Sequence, residues 1–533
     1  MVIFIVPAKV FSAALSGLDA QPIEVEVDLT PGLHCFSIVG LPDTTVNEAK
    51  ERVSSAIKNS GGSPPHHTNR RVVVNLAPAD LKKEGSIYDL PIAIGYLLAS
   101  GQLQLKNMEL DKALFIGELS LEGNLRQING ALPISLMAKN LGFQTLFLPQ
   151  QNAAEAALIE GLEVIPVDSL DALIKHLEGQ ETIFPQPATA MEDFSDISDY
   201  PFDMAYVKGQ EHAKRALEIA AAGAHNILFS GPPGSGKTLL ARTLPSILPS
   251  MTFDESLEVT KIFSISGCLS KDKPLMTSRP FRNPHHTASH ISLVGGGTNP
   301  RPGEITMAHR GVLFLDEFPE FNRQVLESLR QPLEDGIISV ARAARTLMFP
   351  ARFMLVAAMN PCPCGKLTDP DRECQCSPSQ IQKYKRRISG PLLDRIDLHI
   401  EVPPVKYDKL SSEKVAEESA DIRKRVESAR QNQLKRFADS SINPVRSRTQ
   451  ASVTSNGIKT NSEMGTKEIK KFCPIDETTR ELLKNAVQQL HLSARSFYRI
   501  LKLSRTIADL SNEENIKTQH IAEALQYRPK EEF

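Results

Sequence analysis

A short apolar run, His225-Asn-Ile-Leu-Phe-Ser230, leads directly into Gly231-Pro-Pro-Gly-Ser-Gly-Lys237-Thr238, and the helix formers Leu239-Leu-Ala-Arg-Thr-Leu244 follow at once. A strand, a glycine loop and a helix start in that order confine the chain to a parallel α/β layer with the loop at the sheet edge. Gly231, Gly234 and Gly236 let backbone N–H groups turn inward, and the helix N-terminus adds its dipole, which suits a polyphosphate. Pro232, Pro233 and Ser235 complete the cradle. Lys237 is placed to neutralise β- and γ-phosphates, and Thr238 to offer a hydroxyl to Mg²⁺. ATP and Mg²⁺ are therefore the expected ligands. A chance glycine turn would not satisfy all of these positions in this context.

Val312-Leu-Phe-Leu-Asp316-Glu317 supplies the second half of such a site. Four apolar residues predict a buried parallel strand that ends on two carboxylates. Asp316 is the candidate to hold Mg²⁺, and Glu317 the candidate to activate the attacking water. A third strand, Phe353-Met-Leu-Val-Ala-Ala-Met359, ends at Asn360, which is placed to orient that water from the opposite side.

At 533 residues the chain exceeds one core, so about two to four domains are expected. Its 41% hydrophobic and 23% charged composition is that of a soluble globular protein. No uninterrupted apolar run of about 18 residues occurs, so no membrane span is expected. Met1-Val-Ile-Phe-Ile-Val6 has no preceding Lys or Arg, so a first β-strand is expected rather than a secretion signal, and the cytoplasm is the expected location. A net charge of -2 does not imply nucleic acid, so any such contact must come from local basic loops.

Three blocks emerge. Residues 1–177 alternate strand-like runs (Ile23-Glu-Val-Glu-Val-Asp-Leu29, Arg71-Val-Val-Val-Asn-Leu76) with helical ones at 46–59 and 90–99, which predicts a mixed α/β domain. Residues 178–202, rich in Pro, Asp, Glu and Ser, read as a linker. Residues 203–405 hold the nucleotide chemistry. Residues 406–466 form a connector that is polar and Ser/Asn/Thr-rich over 440–465, and a mobile link is expected there. Residues 467–533 carry Leu482, Leu483, Val487 and Leu490 at helical period and predict a small helical domain.

Four of seven cysteines cluster as Cys362-Pro-Cys364 and Cys374-Gln-Cys376, within fifteen positions. Four soft thiolates suit a tetrahedral structural Zn²⁺. The C-x-C pairs are tighter than the usual spacing, and reduced or redox-active thiols are the alternative. The basic Lys383-Tyr-Lys-Arg-Arg387 follows, cations that such a knuckle would present to a partner.

Several longer segments now carry a resemblance. Within the central block they are Phe281-Arg-Asn-Pro-His-His-Thr287, Leu293-Val-Gly-Gly-Gly297, Pro302-Gly-Glu-Ile-Thr-Met-Ala-His-Arg-Gly-Val-Leu-Phe-Leu-Asp-Glu317 and Ala358-Met-Asn-Pro-Cys-Pro-Cys-Gly365. Gly390-Pro-Leu-Leu-Asp-Arg-Ile-Asp-Leu-His-Ile-Glu-Val-Pro403 and Leu492-Ser-Ala-Arg-Ser-Phe-Tyr-Arg-Ile-Leu-Lys-Leu-Ser-Arg-Thr-Ile-Ala-Asp-Leu510 follow. Together they resemble the magnesium-chelatase-like AAA+ ATPases, and more narrowly the ComM/YifB family, over essentially the whole chain. The resemblance implies an α/β fold with three parts. These are an N-terminal Lon-protease-like domain, a central AAA+ P-loop core (α/β/α) with a zinc-type four-cysteine insertion, and a C-terminal helical lid. It also implies a homo-hexameric ring with ATP between neighbouring subunits. Arg395 falls where the family has an arginine that reaches the γ-phosphate of the next subunit, and Arg495 matches the second sensor arginine. From spacing alone, either residue reads as a surface salt-bridge former.

The segment Glu334-Asp-Gly-Ile-Ile-Ser-Val-Ala-Arg-Ala-Ala-Arg-Thr-Leu-Met-Phe349 reads as a hairpin whose tip carries Arg342 and Arg345. In related ring helicases a hairpin at this place enters the pore and touches DNA; two solvated arginines on a surface turn are the alternative. His285 and His286 suit either DNA contact or local capping. Gly117-Glu-Leu-Ser-Leu-Glu-Gly123 and Tyr88-Asp-Leu-Pro-Ile-Ala93 resemble Lon-like sequences, yet the serine position falls on Ile92 and the lysine region, Asn129-Gly-Ala-Leu-Pro-Ile134, has no lysine. Without nucleophile or base, the domain is expected to be a non-proteolytic assembly or binding module. The function these features imply is an ATP-driven DNA motor for helicase or branch-migration work in recombination and natural transformation. A magnesium chelatase subunit and a remodeller of protein complexes are the alternatives. The resemblance implies that a chelatase ATPase subunit lacks the Lon-like front and the cysteine clip.

Overall fold

The structure, a computed structural model, describes residues 7–33, 35–67, 69–106, 109–189, 200–270, 272–297, 300–341, 346–370, 372–405, 416–438, 457–490 and 492–529. The apolar opening at 1–6, most of the Ser/Asn/Thr-rich link, and both Arg342 and Arg345 lie outside these residues. Two compact units are present, one of residues 1–195 with 253–277, the other of residues 196–252 with 278–533.

The first unit is built on a seven-stranded mixed sheet. Its strands are β1 (Ala8–Ser16), β2 (Asp19–Pro31), β3 (Cys35–Val39), β4 (Arg70–Ala77), β5 (Ala113–Phe115), β8 (Thr145–Pro149) and β9 (Glu163–Val167), in the order β3-β4-β2-β1-β5-β8-β9. A small hairpin of β6 (Glu118–Leu119) and β7 (Leu125–Arg126) lies between β5 and β8 in the chain. Strict alternation makes β2 a strand: Ile23, Val25, Val27 and Leu29 are buried, while the intervening acidic residues are only partly so. Val72, Val74 and Leu76 do the same on β4, its antiparallel partner.

The helix Thr44–Asn59 begins where the Asp43 carboxylate accepts the Val46 N–H at 2.7 Å, a capping bond. Residues 89–97 of the helix Asp89–Ala99 are buried on every face. Its first residue, Asp89, is held bidentately by Arg52 at 2.7 and 3.0 Å. Burial pushes that carboxyl up to about 6 even though Arg52 pulls the other way. Ile92 is fully buried in the same helix, a core side chain.

The segment 253–277 belongs with this unit although it follows the phosphate loop in the chain. Its helix, Phe253–Ser266, docks through Glu155, a buried carboxylate that accepts the Leu132 N–H at 2.8 Å and the Ser264 hydroxyl. Leu275 joins Leu132, Leu158 and Ile159 in a small apolar cluster.

The second unit has a parallel five-stranded sheet made of β10 (Ile227–Ser230), β11 (Phe281–Arg282), β14 (Val312–Leu315), β17 (Met354–Met359) and β18 (Leu398–Glu401), in the order β11-β14-β17-β10-β18. Two antiparallel ribbons accompany it, β12 (Gly295–Gly296) with β13 (Arg301–Pro302), and β15 (Ile337–Ala341) with β16 (Thr346–Pro350). Every residue of β14 and β17 is buried, as continuous apolar runs in a covered parallel sheet require. The helices Ser419–Ala438, Thr466–Phe472, Glu477–Gln489, Ala494–Leu510 and Thr518–Gln526 follow. Ile500, Leu503 and Ile507 share one core with Ile227, Phe229 and Leu217, so the C-terminal helices close the same core as the sheet. No helix among the described residues is long and apolar enough to cross a membrane.

Candidate nucleotide site

Strand order brings the predicted groups together. β10 lies beside β17, and β17 beside β14, so the ends of all three strands converge at one sheet edge. The phosphate loop leaves β10 at Gly231, where an added Cβ would run into the Val402 carbonyl oxygen; only glycine fits this approach. The helix Lys237–Ile247 starts at the end of the loop. Lys237 Nζ donates to the Gly231 and Pro232 carbonyls at 2.7 and 2.8 Å and to Asn360 Oδ1 at 3.3 Å. Burial draws this ammonium below the ordinary lysine value, opposed by the charge of Asp316.

Thr238 Oγ1 donates to Asp316 Oδ2 at 2.8 Å. That hydroxyl–carboxylate pair, one on the helix start and one on the strand end, is a donor set suited to a hard divalent cation such as Mg²⁺. The Ser235 hydroxyl is buried within the loop and lacks a protein partner, an open valence where a phosphate oxygen would fit. Both features fit a nucleotide–Mg²⁺ ligand. Glu317 sits next to Asp316 in a left-handed conformation (φ 53°), a cost that non-glycine residues bear mostly at functional positions.

Sequence reasoning does not place His286 at this site, and the structure does. Its Nδ1 lies 3.1 Å from Glu317 Oε2, with the His285 ring beside it at 4.2 Å between centroids. The contact follows from strand order, which no local pattern announces: β11 pairs in parallel with β14, Phe281 opposite Val312, so residues just past both strands share an edge.

Arg395 and Arg495, a hundred positions apart, meet on one carboxylate. Arg395 Nη2 is 2.6 Å from Glu334 Oε1, and Arg495 Nη2 donates to the same oxygen. The bond from Arg395 leads the effects that hold the Glu334 carboxyl below its ordinary value. Arg395 is buried and stands just ahead of β18. β18 runs parallel to β10 with Leu398 opposite Ile227 and Glu401 opposite Ser230. Arg395 therefore lies at the amino end of the sheet, and the phosphate loop of its own chain at the carboxyl end. The four-residue strand separates them by about 13 Å at ~3.3 Å per residue.

The four clustered cysteines also converge. Cys362 Sγ lies 3.4 Å from Cys364 Sγ and 3.6 Å from Cys374 Sγ, Cys364 and Cys374 are 3.6 Å apart, and all four sulfurs fall within 4.8 Å of one another. Backbone amides of Lys366 and Gln375 draw the Cys364 thiol down to about 6. Further on, Lys383, Arg386 and Arg387 line a cavity with Arg323 and Glu320, and Arg387 pairs with Glu320 at 2.5 Å.

A family model described as "Magnesium chelatase, subunit ChlI" matches residues 203–410; models described as "Subunit ChlI of Mg-chelatase" and "Magnesium chelatase, subunit ChlI C-terminal" match 25–152 and 416–528. Competence protein ComM of Haemophilus influenzae is 43% identical over 524 residues, 98% of this chain and 97% of the relative. The chain belongs to the ComM/YifB family of magnesium-chelatase-like AAA+ ATPases. YifB of Escherichia coli is 42% identical over 521 residues, 97% of this chain and 96% of that protein. The magnesium-chelatase 38 kDa subunit of Cereibacter sphaeroides is 26% identical over 193 residues, 30% of this chain and 53% of the subunit. As a ComM/YifB-family ATPase core, the second unit has a clear chemical logic. Lys237, Thr238 and Asp316 lie together at the carboxyl edge of its sheet, and Glu317 with His286 stands beside them.

Proposed function

We propose that this chain is an ATP-driven DNA motor that works as a ring, each nucleotide site being completed by the neighbouring subunit. The observation that carries the ring reading is the position of Arg395 at the opposite end of the sheet from its own phosphate loop. An arginine so placed serves, in this reading, a phosphate on another copy. In this reading the loop amides and Lys237 bind the β- and γ-phosphates of ATP, and the Ser235 hydroxyl adds a donor. Thr238 and Asp316 would hold Mg²⁺, which supplies neutralisation of phosphate charge. Glu317 takes the proton from water as its oxygen attacks the γ-phosphorus and the bond to ADP breaks. Asn360, against Lys237, helps to orient the γ-phosphate and the water. Arg395 and Arg495 reach the γ-phosphate from the next subunit, where a guanidinium is worth about 10³–10⁵ in rate.

DNA is proposed as the track because the sequence that links β15 to β16 carries Arg342 and Arg345. Six copies of this link around a pore would make a basic collar on a chain of nearly neutral charge. The relative from Haemophilus influenzae is named a competence protein, which accords with work on incoming DNA. The front unit is proposed as a non-proteolytic assembly module, since the Lon-type resemblance puts Ile92, a buried apolar side chain, where the nucleophile would stand.

The descriptions of the three matching family models favour a second reading, an ATPase subunit that drives Mg²⁺ into a porphyrin. One experiment separates the two. ATP turnover is measured with no addition, with branched DNA, with single strands and with protoporphyrin. Stimulation by DNA is expected, and a response to porphyrin alone would replace the motor reading with the chelatase one.

A further inference from the structure

Gly365 closes the first half of the cysteine knuckle, its N–H donating to the Cys362 carbonyl at 3.0 Å. It also sits directly on the nucleotide site. A Cβ at Gly365 would lie 2.5 Å from Pro233 Cδ and 3.8 Å from Asn360 Cγ. Pro233 is the third residue of the phosphate loop, and Asn360 is the side chain that holds Lys237. Asn360 is also only two residues from Cys362. The knuckle therefore touches the loop from outside at one point and continues into a ligand of its lysine at another.

The sulfur geometry points to a single ion. Four thiolates around Zn²⁺ at ~2.3 Å form a tetrahedron with edges of about 3.8 Å. The separations of 3.4, 3.6 and 3.6 Å among Cys362, Cys364 and Cys374 approach that figure, and the Cys376 sulfur lies within 4.8 Å of each, whereas a multi-iron cluster would hold its thiolates farther apart. Backbone amides of Lys366 and Gln375 aim at Cys364, as amides do around a metal-bound thiolate. None of the four cysteines is in a disulfide.

We propose that Cys362, Cys364, Cys374 and Cys376 bind one Zn²⁺, and that the metal-closed knuckle is the buttress that sets the shape of the phosphate loop through Gly365. Nucleotide affinity then depends on the metal although the metal never touches the nucleotide. Removing the ion frees the knuckle, Pro233 and Asn360 lose their support, and the loop no longer presents its amides as one surface.

The inference rests on the nucleotide reading, so binding of a fluorescent ATP analogue to the full-length protein as purified is measured first, beside metal content. One zinc per subunit and clear nucleotide binding are expected. Stripping the zinc with a mercurial and a chelator, with folding followed by circular dichroism, should weaken analogue binding about tenfold, and added Zn²⁺ should restore it. Gly365→Ala offers a second route: it should keep its zinc yet bind the analogue less tightly, because its Cβ displaces Pro233. Iron in place of zinc, or no metal in folded wild type that binds ATP, overturns the metal assignment. Stripped, folded protein and Gly365→Ala that both bind the analogue like wild type overturn the buttress. Zinc-loaded wild type that ignores the analogue overturns this proposal and the nucleotide reading together.

Discussion

The Asn226 side chain donates to the backbone carbonyl of Arg395 at 3.1 Å, at the amino end of β10, while the phosphate loop leaves that strand at its carboxyl end. The same Asn226 accepts the Leu355 N–H at 2.8 Å, which ties the starts of β10, β17 and the segment before β18 into one edge. This edge fixes the face that Arg395 presents, and it is not the face of its own loop.

The proposed ring predicts that sites are shared between subunits. Arg395→Ala and Lys237→Ala should each abolish most ATP turnover, and mixing the two should restore part of it. Some interfaces then pair an intact Lys237 with an intact Arg395. Turnover across a series of mixing ratios tests this, with mixed rings verified by mass. Mixed rings without recovery at any ratio would remove Arg395 from the interface.

Glu317→Gln should bind ATP normally, since Lys237, Thr238 and Asp316 remain, and should lose turnover by about 10²–10⁴ through loss of the base. Parallel measurements of analogue binding and phosphate release check it. Near-normal release would take Glu317 out of its assigned role.

Replacing Arg342 and Arg345 together by Ala should weaken DNA binding for all sequences and flatten its dependence on salt, because fewer counterions are released. Basal ATP turnover should persist, while DNA stimulation and branch migration are lost. A double variant that binds and migrates branched DNA as wild type does would place the track elsewhere.

Asp397 supports the edge on which Arg395 sits. It takes the Asn226 N–H at 3.1 Å, approaches His225 Nδ1 at 3.3 Å and pairs with Arg499 at 3.1 Å. Burial alone would raise this carboxyl, but Arg499, His225 and Lys502 outweigh it and hold it far below the ordinary value. Its stabilisation is therefore complete above the unfolded carboxylate value, about 3.9, and is lost as pH falls through the lower folded one. Asp397→Asn should destabilise the second unit by about 3–5 kcal/mol at neutral pH, since it leaves the largely buried Arg499 without this carboxylate. The gap to wild type should narrow below about pH 4. Thermal unfolding of both proteins across pH measures it, and a gap that persists undiminished in acid would contradict the assignment.

Some of this was written locally in the chain. The apolar alternation of β2, the continuous apolar runs of β14 and β17, and the strand, glycine loop and helix around Lys237 were legible because each depends on a short-range period or on a few adjacent residues. The candidate residues Lys237 and Thr238 could likewise be named from the glycine loop, and Asp316 and Asn360 from strand ends, and the structure places them together.

Other features depended on closing the whole chain. Nothing near Glu334 in sequence announces that it receives both Arg395 and Arg495. His286 on Glu317, and Gly365 against Pro233, were equally silent, because each joins loops brought together by the order of parallel strands. The helix Phe253–Ser266 follows the phosphate loop in the chain yet packs in the first unit, since the carboxylate and apolar cluster that receive it lie about a hundred positions earlier. Local periodicity determines which strands and loops form, and so which chemistry is available. Which end of the sheet each arginine occupies is a matter of long-range register, and only the tertiary structure decides that.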